Sequence, residues 1–281
     1  MNRRFFLLFF FLIPFFAYSQ IISVSGGVDH SFFDKSASDA SPAVEDLIFT
    51  KAAFKGFFGR VFDYSISYEI DPLMDYMINL GLGFTFRAFN IDVGFFFESP
   101  APEFSRMDRG LVIGFGFTAP DVAFASLKYS SSIGAFTEIA GNRTIAMMDV
   151  EAGFWLYNII ASARAEFRTI SIIETNTMFK DFTRNKIFGR LDIYGKNAPF
   201  TIRIDSGVIT GRAIYENIIL STTKSDFSAV FGGMRLGFNF GRNLYWYVEG
   251  ETMVLLNDET PLPLEGFLFR AATGFVITIS S

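Results

Sequence analysis

Between positions 77 and 97 the chain alternates large apolar residues with small or polar ones at a period of two. Ile78, Leu80, Leu82, Phe84 and Phe86 share one parity, while Asn79, Gly81, Gly83 and Thr85 share the other. The alternation resumes with Ile91, Val93, Phe95 and Phe97 set against Asn90, Asp92, Gly94 and Phe96. That period puts each set on its own face of a β-strand. Two strands of about ten residues with a tight connection are long enough to cross a membrane at a tilt. Strands of soluble sandwiches run nearer five or six residues, on the order of half a crossing.

The same pattern predicts strands at 21–29, 47–59, 63–70, 74–86, 90–98, 109–119, 122–134, 145–156, 159–173, 185–194, 199–211, 226–240, 244–257 and 265–279. That makes fourteen strands, with twelve as the alternative count. Their connections carry more information than their ends. After even-numbered strands they are short: Arg60–Phe62, Ala88–Phe89, Pro120–Asp121, Tyr157–Asn158, Lys196–Ala198 and Gly241–Asn243. After odd-numbered strands they are long: His30–Asp46, Ser99–Asp108, Ala135–Thr144, Glu174–Arg184, Tyr215–Ser225 and Asp258–Leu264, with Asp71–Leu73 as the exception. An up-and-down transmembrane barrel has short turns on the periplasmic side and long loops outside, and this asymmetry reproduces that arrangement.

Charge follows the same division. The apolar parity carries Tyr64, Ile66, Tyr68 and Ile70, then Leu111, Ile113, Phe115 and Phe117, and in the last strand Phe267, Phe269, Phe275, Ile277 and Ile279. The other parity, expected to face a lumen, carries Lys51, Lys55, Glu69, Asp92, Lys128, Asp149, Glu151, Arg164, Glu166, Arg168, Arg190, Asp192, Arg203, Asp205, Arg235, Glu249, Glu251 and Arg270. A Lys or Arg turned to lipid at the midplane costs about 2–4 kcal/mol, which explains the segregation. Arg212 fits neither face and is expected at the rim.

Composition narrows the class. Half of the 281 residues are hydrophobic, 38 of them Phe, yet no apolar run past the N-terminus is long enough for a membrane helix. An alternating barrel reconciles the two observations. The net charge of −5 argues against a nucleic-acid partner. With no cysteine there is no thiol chemistry, and with one histidine there is little for a metal, so no cofactor is expected. Residues 1–19 read as a signal peptide: basic Arg3 and Arg4, an apolar stretch from Phe5 to Phe16, and Ala17-Tyr18-Ser19 before a cleavage site. Residues 20–281 would then form the barrel.

The C-terminal Gly274-Phe275-Val276-Ile277-Thr278-Ile279 resembles, from its glycine onward, the closing strand that assembly machinery reads in bacterial outer-membrane β-barrels. It departs from that pattern with Ala272 at the polar position, Ile279 for the final aromatic and two trailing serines. The architecture is most similar to small monomeric fourteen-stranded porins. Fatty-acid-transporter barrels share the strand number but carry an N-terminal hatch, and here the mature chain runs almost directly into its first strand. The resemblance implies an outer-membrane location reached through the periplasm. Its partners would be outer-membrane lipid, periplasmic chaperones, the barrel assembly machinery and small solutes.

Other features give less. His30 in Asp29-His30-Ser31 lacks the positioned partners that nucleophilic catalysis needs, so no enzyme is expected. Asp34, Asp39, Glu45, Asp46, Asp258 and Glu259 make acidic loops without calcium-ligand spacing. Glycines at 81, 83, 94, 114 and 116 clear lumen space or bend strands, and Trp246 belongs to an interfacial girdle. Three functions remain: a passive small-solute channel, a hydrophobic-compound transporter using Phe57, Phe96, Phe124 and Phe188, or a structural barrel closed by salt bridges. The turn at 241–243 sets Arg235 opposite Glu249, and a matching register on the other side sets Glu251 opposite Arg270.

Overall fold

The computed structural model describes residues 19–31, 45–59, 61–71, 75–99, 108–132, 143–172, 179–195, 199–216, 222–256 and 267–280. These form fourteen strands: β1 (Ser19–Ser31), β2 (Glu45–Phe58), β3 (Phe62–Asp71), β4 (Asp75–Phe86), β5 (Phe89–Ser99), β6 (Asp108–Ala119) and β7 (Ala123–Ser132), then β8 (Arg143–Leu156), β9 (Ile159–Ile172), β10 (Phe179–Tyr194), β11 (Phe200–Glu216), β12 (Thr222–Phe240), β13 (Leu244–Leu255) and β14 (Phe267–Ser280). Each pairs antiparallel with its neighbours in sequence, and β14 pairs with β1 to close the barrel. The proposed signal segment lies outside the described residues up to position 18, and β1 already includes Ser19.

The registers set the size of the barrel. Carried once round the wall, a residue level with Val24 returns to β1 about 14 positions further along, so shear and strand number match. With strands about 4.8 Å apart and about 3.3 Å per residue, that shear corresponds to a tilt of about 35° and a backbone radius of about 13 Å.

Outward positions are large, apolar and uncovered by protein. Leu82 is 70% exposed, and Phe84, Phe86, Ile91, Val93, Phe95, Ile113 and Phe115 are exposed beside it. Hydrocarbon is the compatible neighbour for such a face. Aromatic pairs gather near the short-turn end, where Phe62 meets Phe84 at 5.3 Å and Phe89 meets Phe117 at 5.5 Å between ring centroids. Trp246 stacks on Phe238 at 5.7 Å and donates its indole N–H to Thr273 Oγ1 at 3.0 Å, a girdle position.

Some predicted boundaries shift. Phe86 pairs with Phe89, so the turn is Arg87–Ala88, not Ala88–Phe89, and Arg87 takes a positive φ of 55°. Phe58 pairs with Phe62, which shifts that connection by one residue to 59–61. The larger differences are at the far ends of β10, β11 and β12, which begin or end at Phe179, Glu216 and Thr222, not at 185, 211 and 226. Asp181, Arg212 and Lys224 put charge on the otherwise apolar parity there. Beyond the hydrocarbon both faces meet water, so pairing continues on backbone hydrogen bonds without needing alternation. The long connections after odd-numbered strands lie almost entirely outside the described residues.

Candidate functional site: the barrel interior

Contacts between strands that are not neighbours identify the inward face, because side chains converge only on the concave side. Lys186 of β10 places Nζ 2.6 Å from Glu251 Oε2 on β13. The Arg270 guanidinium of β14 lies 4.0 Å from the ring centroid of Phe49 on β2, across β1. Phe188 of β10 meets Phe231 of β12 at 5.6 Å. All eighteen charged residues singled out above share this inward parity.

Most of them pair with one another. Lys51 reaches Glu69 at 2.7 Å, Arg168 reaches Asp149 at 2.8 Å, and Arg164 reaches Glu166 at 3.1 Å. Arg190 binds Asp205 and Arg203 binds Asp192, at 2.8 Å and 2.6 Å. Lys55 takes Asp63 at 3.0 Å, a partner that the strand start at 63 concealed. Glu151 accepts from Ser162 Oγ at 2.9 Å. Lys128 and Asp92 make no ion pair among the described residues.

A row crosses four strands: Asp192, Arg203, Arg235 and Glu249 stand successively opposite one another. Two arginines face each other at its centre, and like charges directly opposite are unfavourable. Each arginine turns to its own acid, and Arg235 Nε lies 2.7 Å from Glu249 Oε2. The predicted juxtaposition of Arg235 and Glu249 is therefore an ion pair. Glu251 does stand opposite Arg270, but the expected bond between them is not made. Glu251 instead takes Lys186, whose ammonium reaches it over the ring of Phe231, the β12 residue opposite Gly207. Arg270 stacks on Phe49, and its Nε has no hydrogen-bond partner among the described residues. Arg212 pairs with Asp226 at 2.6 Å on the outward parity, with both side chains more than half exposed, as a rim position requires.

A second layer lies farther from the short turns. Met77, Phe96, Val112, Ile145, Met147, Phe188, Ile209, Phe227, Ala229 and Phe231 form one buried apolar cluster from β4 to β12, with Met253 and Leu255 of β13 packed against it. On β8, β12 and β13 its members lie farther from the turn than Asp149, Arg235 and Glu251 do. Of the four phenylalanines expected to make a greasy path, Phe96 and Phe188 belong to this layer. Phe57 and Phe124 lie at the opposite end, and Phe124 packs on Trp155 at 5.0 Å. The other members carry no charge to mark them as inward, and they share the parity of the charged residues. The signal was present: Ile145 and Met147 continue the parity of Asp149, and Met253 and Leu255 that of Glu249.

Glycine seats the inward rings. A Cβ at Gly110 would run into the Phe96 ring, and one at Gly211 would run into the ring of Phe227. Each ring therefore lies on the wall over the glycine directly opposite it. The glycines at 81, 83, 114 and 116 do the same for polar side chains, sitting beneath Ser65, Asp63, Asp92 and Asn90. Among the described residues no three His, Cys, Asp or Glu side chains meet as metal ligands. The backbone of His30 pairs with Asp46 and Phe269, and its side chain lies outside the described residues, as do Asp34, Asp39, Asp258 and Glu259; Glu45 and Asp46, expected in a loop, begin β2 instead.

Closure in fourteen antiparallel strands, short turns at one end and an apolar exterior define the bacterial outer-membrane β-barrel fold. Solved structures with this fold cover nearly the whole chain. A FadL homologue of Pseudomonas aeruginosa aligns over 92% of this chain and 88% of its own, with 11% identity and a TM-score of 0.50. OmpT of Vibrio cholerae covers 93% and 96% at 9% identity and a TM-score of 0.44. The CymD monoaromatic hydrocarbon channel covers 94% and 89% at 7% identity and a TM-score of 0.48. These likenesses are of fold. No family model and no curated protein matches the sequence.

Proposed function

We propose that this protein is a passive route for small solutes across the bacterial outer membrane, exported by its N-terminal segment and inserted by the barrel assembly machinery. It is not an enzyme on this reading, and it uses no cofactor. The observation that carries the proposal is the inward face: charged residues of both signs line a barrel of about 13 Å backbone radius. A barrel whose only task is to sit in lipid has no need to place so many ionisable groups inside. Pairing keeps most of these charges tolerable while the wall remains hydrophilic enough to hold water. Because acids and bases nearly balance, the charged belt should discriminate little between cations and anions.

The test is permeation through purified barrels in vesicles, followed by swelling in isosmotic solutions of small sugars and amides and by current across planar bilayers. Entry above the protein-free rate for at least one solute is expected. Entry at the protein-free rate for every solute, with no current from correctly folded barrels, would exclude the proposal.

A further inference from the structure

We infer that the apolar layer in the outer half of the lumen is a hydrophobic gate. It closes the route to ions and passes small uncharged solutes with apolar surface. The inference rests on the solute-route reading and adds its solute class.

Burial is the first ground. Phe96 is 0% exposed, Ile145 1% and Ile209 2%, although all three project inward from the wall. In a barrel of about 13 Å radius, an inward ring escapes water only if the lumen at that level is filled. The members come from seven of the nine strands between β4 and β12, with β7 and β9 contributing none, so the packing reaches across more than half of the circumference. A constriction of this kind gates by dewetting: water leaves the apolar neck, and an ion entering it loses its hydration. The charged side chains directly opposite members of the layer, Glu69, Arg168 and Lys186, are already held by Lys51, Asp149 and Glu251. An uncharged apolar molecule meets no such barrier.

The layer is also built to yield. Met77, Met147 and Met253 are unbranched thioethers that reorient more easily than branched side chains. The ring of Phe96 lies over Gly110, where no side chain stands beneath it. On the opposite side the rings are restrained. The Lys186 ammonium lies 4.0 Å from the Phe231 centroid and 5.3 Å from that of Phe188, and Glu251 holds it in place at 2.6 Å. Lys186 is thus a positioning residue at the boundary between the charged belt and the apolar layer.

Three variants test this: Phe231→Ser and Met147→Ser within the layer, and Phe124→Ser at the short-turn end as a control. Heat-modifiable mobility selects folded barrels. The readouts are current in potassium chloride across planar bilayers and influx of N-phenyl-1-naphthylamine across the outer membrane of intact cells. Wild type should pass little current yet admit the probe. Either layer variant, whichever folds, should raise the current about tenfold, equivalent to about 1.4 kcal/mol of barrier, while Phe124→Ser should not. Steady wild-type current at the level of the layer variants, or equal increases in all three, would overturn the gate and leave the solute route intact. Absence of both current and probe influx from folded wild type and variants would remove the route as well.

Discussion

An arginine at position 82 should cost the barrel far more than one at position 114, although the two lie at nearly the same depth. At a tilt of about 35° each residue advances roughly 2.7 Å along the axis, which places Leu82 about 11 Å and Gly114 about 13 Å from the short-turn end. Both are near the middle of an apolar band about 25 Å tall. Leu82 faces outward and is 70% exposed, so Leu82→Arg puts a guanidinium into hydrocarbon at about 2–4 kcal/mol. Gly114 faces inward. A Cβ there would lie 3.2 Å from Oδ2 of Asp92, a carboxylate with no ion pair among the described residues, so Gly114→Arg supplies it with a partner. In lumen water that pair contributes about 0–1 kcal/mol, and repulsion from Lys128 directly opposite on β7 offsets it by a similar amount. The two variants should therefore differ by a factor of roughly 30 to 900 in the folding equilibrium. Position 83 is a poorer control, because a Cβ there would fall 2.5 Å from Asp63 Oδ1. Urea-dependent folding into vesicles, read by heat-modifiable mobility, measures the difference. Equal destabilisation by the two substitutions would refute the assignment of faces.

Topology gives a second expectation: a cysteine at Asp226 should react with an impermeant maleimide on intact cells, and one at Ala88 only after the outer membrane is broken. The opposite labelling would invert the orientation. Arg235→Glu should lower stability by about 0.2–1 kcal/mol, and adding Glu249→Arg should restore it, since the acid introduced at position 235 then stands between that new arginine and Arg203. A double variant no more stable than the single would show that the pair is not coupled. Gly110→Ala drives a methyl group into the Phe96 ring and to 2.6 Å from the Ser131 carbonyl oxygen, at about 1–3 kcal/mol. Adding Phe96→Leu should recover part of that loss in thermal melts, and strictly additive effects would mean that the ring does not rest on the glycine.

The fold was legible because a period-two pattern has one physical interpretation when it recurs through fourteen segments. Residues such as Leu82 and Asp92 state their face by parity alone, and the short connections state which end is which. The register of Arg235 with Glu249 followed from a three-residue turn, since local geometry determines the pairing beside it. Parity says which face a side chain takes, and it says nothing about what that side chain meets across the lumen. That Glu251 binds Lys186 and not Arg270 depends on Lys186 reaching from β10 over the Phe231 ring of β12 to β13, and these residues lie far apart in sequence. The apolar layer has the same origin. Met77, Phe96, Ile145 and Phe231 are ordinary inward residues on their own strands, and they become a seal only because closure brings the strands round to one level. Alternation along one strand is a local property; convergence inside the barrel needs all fourteen.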